Sequence, residues 1–382
     1  MAENEQTTQE TIEEPIDPLY EDKLAVLKDG RYEHVAIVCH DSPDPDCFAS
    51  AMAMKAIAES YGLSADIYYG GDVGHTQNRV MVNVLNIVTT KLDAEEDEET
   101  TVTIANTLNA SYLVVVDTSN FGKENCKAIN KFVKDKRQPD LVIDHHEQNP
   151  NIECSYIHES KGSCSTIFYQ ILKSHGIAIN KTLATALYLG INTDTADLKA
   201  EGTTDEDSDT YQDLKSLIDL EKFLQILNYP KPLALVDLRR RAYADLEVTG
   251  NIAVGNVGVI TPQQRSLIGE LCEELLEVES IDTAVIMAVV DEGMKGDKWL
   301  VASFRSSVLA INTKDFMTSV FGKRNAGGRK GAGAAQITLD AIHKNAIDQI
   351  RRDHGDNGNL SQYTGFLFQA YAAKIREEKE NV

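Results

Sequence analysis

Short apolar runs, each closing in a cluster of polar residues, recur along the first half of the chain. His34-Val-Ala-Ile-Val-Cys39, Ala65–Tyr69, Tyr112–Val116 and Leu141–Ile143 are continuous rather than alternating, as in strands buried on both faces. Between them, 48–61 is helical in pattern and rich in Ala and Met, and 122–135 is helix-like. Further on, 163–175 and 181–192 read as helices, and 208–247 as mostly helical with a break at Pro230 and Pro232. Strands alternating with helices predict an α/β fold, a parallel sheet with helices on both faces. The pattern restarts near Gly250: Asn251–Ile260, Thr283–Val290 and Trp299–Arg305 read as strands, 262–277 and 312–321 as helices. A glycine-rich loop at 327–333 and a helix at 360–378 close the chain. The expected organisation is a mobile tail (1–30), a first domain (31–228), a linker helix (229–250) and a smaller α/β domain (251–382).

Length agrees with two domains: 382 residues exceed one ordinary core, and a 42% hydrophobic fraction excludes global disorder. The net charge of −23 argues against a protein that coats duplex DNA, which gains affinity by neutralising phosphates with Lys and Arg. That charge is concentrated. Residues 1–22, 93–99 and 201–213 supply 20 of the 23 excess acids and read as a tail and two surface segments. Between Lys295 and Lys330 the sign reverses, with eight bases against Asp297 and Asp315, so an anionic ligand is compatible with the chain. Six cysteines without a CxxC pair, and no signal-like segment, lead us to expect reduced thiols in the cytoplasm; no apolar run is long enough for a membrane span.

Chemistry-bearing residues gather after the strand ends, where open α/β sheets place ligands. His40-Asp-Ser-Pro-Asp44-Pro-Asp46 follows the first strand, Asp117 follows Tyr112–Val116, and Asp144-His145-His146 follows Leu141–Ile143; Asp194 follows the helix at 181–192. Any one of these has a plainer explanation as a turn or helix cap. Together they form the donor set that two divalent cations need, with carboxylates suited to Mn²⁺ or Mg²⁺ and imidazole favouring Mn²⁺. Two such ions can share one carboxylate and one hydroxide and neutralise phosphoryl charge during in-line attack on phosphorus.

These four motifs resemble those of the DHH phosphoesterase superfamily, which includes RecJ-like exonucleases, nanoRNases that also remove phosphate from 3′-phosphoadenosine 5′-phosphate (pAp), cyclic-dinucleotide phosphodiesterases and family II pyrophosphatases. The resemblance spans roughly residues 34–340. It implies one metal on His40, Asp44 and Asp117, and a second on Asp46, Asp117, His145 and Asp194, with Asp117 bridging. It further implies that His146 meets the reacting phosphate and assists the leaving group, while Asp144 orients the histidines. The second domain looks like the DHH-associated substrate domain. There Ser303-Phe-Arg305-Ser resembles the arginine-bearing strand, and Gly327-Gly328-Arg329-Lys330-Gly331-Ala-Gly333 resembles a Gly-Gly-His-x-x-Ala-Gly loop, with Arg329 in place of His. Arg305 reads equally as a salt-bridge partner, and Arg329 with Lys330 as a solvated loop. His75 and Arg79 stand where related enzymes meet substrate, against the plainer reading of a capped loop leading into a helix. Cys47 stands where small residues are usual and reads as packing.

The resulting expectation is an Mn²⁺-dependent phosphodiesterase, with two Mn²⁺ replaceable by Mg²⁺ or Co²⁺. Its substrates would be short 5′-phosphorylated oligonucleotides, above all linear dinucleotides such as pGpG, cleaved to mononucleotides. Duplex DNA and membranes are not expected partners, and the resemblance suggests a homodimer. Alternatives within the same chemistry are a pAp 3′-phosphatase, a RecJ-like exonuclease and a pyrophosphatase or exopolyphosphatase. A catalytically silent nucleotide-binding module is the alternative from another class.

Overall fold

The computed structural model describes residues 18–94, 97–123, 126–135, 137–200, 202–291, 298–308, 311–329, 331–339 and 360–380. Most of the acidic N-terminal tail, part of the acidic run at 93–99 and Lys330 lie outside them. The chain divides into two units, one ending at Tyr229 and the other beginning at Pro230.

The first unit comprises α1 (Pro18–Leu24), β1 (His34–Val38), α2 (Pro45–Ser60), β2 (Ser64–Tyr69), α3 (Thr76–Val84), β3 (Thr90–Lys91), α4 (Glu98–Ala110), β4 (Tyr112–Val116), β5 (Leu141–Asp144), β6 (Ser155–His158), α5 (Cys164–Ser174), α6 (Lys181–Asp194), α7 (Asp205–Lys215) and α8 (Leu220–Leu227). Its sheet is wholly parallel, in the order β3-β2-β1-β4-β5-β6. The order reverses between β1 and β4, so the switch point where such sheets hold ligands lies at the ends of these two strands. β4 and β5 are buried at every position, as their unbroken apolar runs require. One face packs on α2, α5 and α6 through Phe48, Met54, Phe168 and Leu187. The other is covered by Ile104 and Leu108 of α4 and by Cys126, Ile129 and Phe132.

One local expectation is corrected. Among its described residues, the stretch 122–135 is no α-helix: it makes turns and a 3₁₀ turn at Ala128–Lys131. Its buried residues recur every three positions (Cys126, Ile129, Phe132), the period of a 3₁₀ turn. Conversely, α4 is a helix with no obvious signal, because only Ile104 and Leu108 are buried on it and its threonines are weak helix formers. Asp97 caps it by accepting from Thr100 N at 2.8 Å, and Glu98 and Glu99 sit in its first turn. Part of the acidic run at 93–99 therefore complements a helix N-terminus.

α2 begins with Asp44 as N-cap, accepting from Cys47 N at 3.1 Å, and Pro45 in its first turn. It packs on α6 so closely that a Cβ on Gly190 would lie 2.3 Å from Ser165 Oγ and 2.8 Å from Asp46 Oδ1. Gly190→Ala is therefore expected to cost about 1–3 kcal/mol through overpacking. The check is a lower urea midpoint at unchanged slope; a midpoint equal to the parent's would contradict it.

The second unit comprises α9 (Leu233–Ala244), β7 (Glu247–Thr249), β8 (Ile252–Ile260), α10 (Leu267–Leu276), β9 (Thr283–Asp291), β10 (Lys298–Ser306), α11 (Thr313–Phe321), β11 (Ala326–Arg329), β12 (Ala332–Thr338) and α12 (Leu360–Glu380). The stretch expected as a linker contains α9, whose Leu235, Leu238 and Ala242 are buried in this unit's own core. The sheet is mixed, in the order β11-β12-β10-β9-β8-β7, with only β8–β9 parallel. The glycine-rich segment is not a loop but the hairpin β11–β12, with Gly328 opposite Gly333 and Gly331 turning at φ +74°. Its glycines answer to α11: a Cβ on Gly328 would lie 2.7 Å from Thr313 Cγ2, and one on Gly333 2.7 Å from Met317 Cγ.

Candidate metal centre

The polar cluster stands on the C-terminal ends of β1, β4 and β5, around the switch point. Asp117 is its centre. It ends β4 in a left-handed conformation (φ 58°), uncommon for a residue with a Cβ, fixed by donation from its N–H to Ile143 O at 2.9 Å. Its carboxylate is 2% exposed. Asp117 Oδ2 lies 3.8 Å from His40 Nε2, which is also 3.8 Å from Asp44 Oδ2. Asp117 Oδ1 lies 3.4 Å from His145 Nε2, which is 3.4 Å from Asp194 Oδ2 and 4.0 Å from Asp46 Oδ2. His40, Asp44, Asp46, Asp117, His145 and Asp194 thus converge, with Asp117 between the two histidines.

Each member is held from outside the cluster. Asp46 is fully buried, yet both its oxygens accept from the N-terminus of α5, Cys164 N at 2.7 Å and Ser165 N at 2.9 Å. A helix N-terminus supports a carboxylate there. His145 Nδ1 faces Lys161 O at 3.0 Å, which leaves Nε2 turned inward. Lys161 is followed by Gly162, whose N–H donates to Asp207 Oδ2 at 2.7 Å. Asp194 arises from the last turn of α6, not from a loop after it. Just beyond, Ala196, Asp197 and Leu198 are all left-handed (φ 49°, 58° and 64°), and Asn192 Nδ2 donates to Asp197 Oδ1 at 3.1 Å. Asp144 accepts from His146 Nδ1 at 2.8 Å and from His146 N at 3.1 Å. His146 is the most open of the set, with 43% of its side chain exposed. His158 Nε2 bonds the His146 carbonyl at 2.6 Å.

The electrostatics call for positive charge. Burial, then the nearby Asp46, holds the Asp117 carboxyl well above the usual range, and burial with Asp194 pushes Asp46 up to about 7. Burial alone would lower His145, but Asp117 and Asp194 override it and push it up to about 12. Asp117 Oδ1 and His145 Nε2 are buried and face each other at 3.4 Å as an ion pair, and neither makes a hydrogen bond of proper geometry among the described residues. Such atoms are costly unless something satisfies them. Donor atoms lie within 4.8 Å of one another in three overlapping groups: His40, Cys47 and Asp117; Asp117, His145 and His146; Asp46, His145 and Asp194. Carboxylate and imidazole oxygens and nitrogens in this arrangement fit divalent cations.

Residues expected at the substrate are differently engaged. His75 is the N-cap of α3, accepting from Gln77 N at 3.2 Å, and its ring stands edge-on to Tyr229 at 5.8 Å. Arg79 donates to Val73 O at 2.9 Å, to Gly74 O and to Thr76 Oγ1, closing its own loop. In the second unit, Arg305 Nε donates to Glu273 Oε1 at 3.0 Å. Gly327 is open on its Cβ side. Arg329 lies at the end of β11; its side chain and Lys330 are outside the described residues. One support is hidden from sequence reading: Asp207 lies within an acidic run that reads as surface yet is fully buried. Cys47 packs in the core, as its place in the sequence suggests, and its Sγ also lies within 4.8 Å of donor atoms of His40 and Asp117.

Residues 34–191 match the model of the DHH family, N-terminal domain. The chain is similar to two uncharacterized proteins of Methanocaldococcus jannaschii. One is 31% identical over 320 residues, covering 83% of this chain and 60% of that protein. The other is 25% identical over 228 residues, covering 59% and 64%. The chain thus spans less than two thirds of the length of these curated relatives. The crystal structure of an exopolyphosphatase-related protein from Bacteroides fragilis shares the fold, with a TM-score of 0.68 at 15% identity over 95% of this chain and 98% of that one.

Proposed function

We propose, from the match of residues 34–191 to the DHH family N-terminal domain, that the protein is a metal-dependent phosphodiesterase acting on short 5′-phosphorylated oligoribonucleotides. Linear dinucleotides such as pGpG are the substrates, cleaved to mononucleotides. The observation that carries this reading is the convergence of three further carboxylates and two imidazoles around Asp117, whose buried Oδ1 lacks a hydrogen bond among the described residues.

His40, Asp44 and Asp117 would hold one cation, and Asp46, Asp117, His145 and Asp194 the other, with Mn²⁺ favoured and Mg²⁺ or Co²⁺ able to replace it. When bound, such ions supply Lewis-acid stabilisation of phosphoryl charge and a nucleophile at neutral pH. The protein's own groups do the rest. Asp46, braced on the α5 N-terminus, and His145, braced on Lys161 O, fix the donor geometry. Asp144 takes the Nδ1 proton of His146 into its hydrogen bond, which directs Nε2–H of this half-exposed ring to the leaving oxygen. Arg305, Gly327, Gly328, Arg329, Lys330, Gly331, His75 and Arg79 are proposed as substrate contacts. Release of Arg305 from Glu273 would then accompany binding. A cytoplasmic homodimer belongs to the same proposal.

The test is turnover with Mn²⁺ across pGpG, pApA, pAp, pyrophosphate and a longer single strand, compared as kcat/KM. The dinucleotides are expected to lead, EDTA to abolish turnover and Mn²⁺ to restore it. Faster turnover of pAp or pyrophosphate would move the substrate assignment, and no turnover of any member with Mn²⁺ would favour a silent nucleotide-binding module.

A further inference from the structure

Cys47 sits in the first turn of α2, one residue after the proposed ligand Asp46 in sequence and beside two proposed ligands in space. Its side chain is fully buried, and its Sγ lies within 4.8 Å of donor atoms of both His40 and Asp117. The thiol contacts Val116 O at 3.8 Å, a weak and replaceable interaction. A second observation marks the spot as more than a packed thiol. His40, which shares the group with Cys47 and Asp117, turns its Nε2 toward Asp44 Oδ2 and Asp117 Oδ2, each at 3.8 Å and beyond hydrogen-bond distance, while its Nδ1 is held by Asp41 O at 3.1 Å. The four buried thiols of this unit are not equivalent. Cys39, Cys126 and Cys164 reach backbone carbonyls at 4.0, 3.9 and 3.5 Å, while Cys47 alone among the described cysteines belongs to a donor group.

We infer that Cys47 is a sulfur ligand to the cation held by His40 and Asp117, which gives this position affinity for thiophilic divalent metals such as Co²⁺ and Zn²⁺. The inference rests on the metal-centre reading above and adds to it. On binding, the Cys47 S–H bond breaks, its proton passes to solvent, and the sulfur electron pair forms the bond to the metal. No oxidant or reductant is involved. A soft donor at one position only would make the two positions unequal, the His40 side drawn to softer ions and the Asp194 side, built from Asp46, His145 and Asp194, to harder ones.

The experiment loads the 382-residue chain with Co²⁺ and records bound metal by equilibrium dialysis together with the absorption spectrum. The parent is expected to show a near-ultraviolet sulfur-to-Co²⁺ charge-transfer band beside the visible ligand-field bands. Cys47→Ala and Cys47→Ser are expected to lose the charge-transfer band and to bind the first Co²⁺ about tenfold more weakly or worse. Cys39→Ala and Cys164→Ala are expected to keep the band. Co²⁺ bound with ligand-field bands but no sulfur band overturns the Cys47 assignment and leaves the metal centre standing. A band that survives in both Cys47 variants overturns it as well. Failure of the parent to bind Co²⁺ or Mn²⁺ overturns the metal centre and this inference with it.

Discussion

Asp117→Asn is expected to lower kcat/KM for a dinucleotide by a factor on the order of 10³ or more, the scale of losing a preorganised charge-stabilising group. Asp117 alone stands between the two histidines, 3.8 Å from His40 and 3.4 Å from His145. Replacing one carboxylate oxygen with an amide nitrogen removes the shared negative charge from between the two proposed cation positions and an oxygen donor from one of them. Asn is the informative replacement because it nearly matches Asp in shape and tolerates the left-handed backbone found here, φ 58°. Stability should therefore hold, and even rise in the metal-free protein, since a buried group crowded by Asp46 is neutralised. Turnover within a few fold of the parent, in a folded variant, would contradict the bridging role.

Asp207→Ala is expected to destabilise the first unit by about 3 kcal/mol or more. Asp207 is fully buried and accepts from Gly162 N at 2.7 Å, Thr166 Oγ1 at 2.5 Å, Thr204 N at 2.8 Å and Thr204 Oγ1 at 2.8 Å. It joins the start of α7 to the turn before α5, and Thr204 and Asp207 form a reciprocal capping box. Removing the carboxylate leaves these four donors without their acceptor. Gly162 also adjoins Lys161, whose carbonyl orients His145. Metal affinity should therefore fall about 10- to 100-fold alongside stability, as for other groups that orient a ligand. Asp209→Ala, on an exposed position of the same helix, is expected to stay within about 0.5 kcal/mol of the parent. Chemical denaturation and Mn²⁺ titration check both effects; equal midpoints for the two variants would sink the assignment.

The parts of this fold legible in the sequence are those where one physical requirement dominates. β1, β4 and β5 must be apolar throughout because both faces are covered, so their runs stand out, and polar residues at their ends are conspicuous by contrast. That contrast makes His40, Asp117 and His145 legible as neighbours in the sequence. The edge strand β6 (Ser-Tyr-Ile-His) and the two-residue β3 carry too few apolar positions to signal themselves. α4, with only Ile104 and Leu108 buried, is silent for the same reason. The glycine-rich hairpin misled because glycine has two uses: freedom for a loop, and room for a neighbour. Here Thr313 and Met317 of α11 require the room, and only Gly331 uses the freedom. Asp207 shows a different limit. Its run of acids looks like a solvated face, and what singles it out is a set of donors up to 45 residues away, which no local pattern encodes.

The most direct measurement is anomalous diffraction at the manganese edge from crystals of the chain grown with Mn²⁺. Two peaks are predicted, one among His40, Asp44 and Asp117 and the other among Asp46, His145 and Asp194, with Asp117 touching both. In Asp117→Asn at least one peak should vanish. A parent crystal with no peak at Asp117, or with manganese bound only elsewhere, would contradict the account.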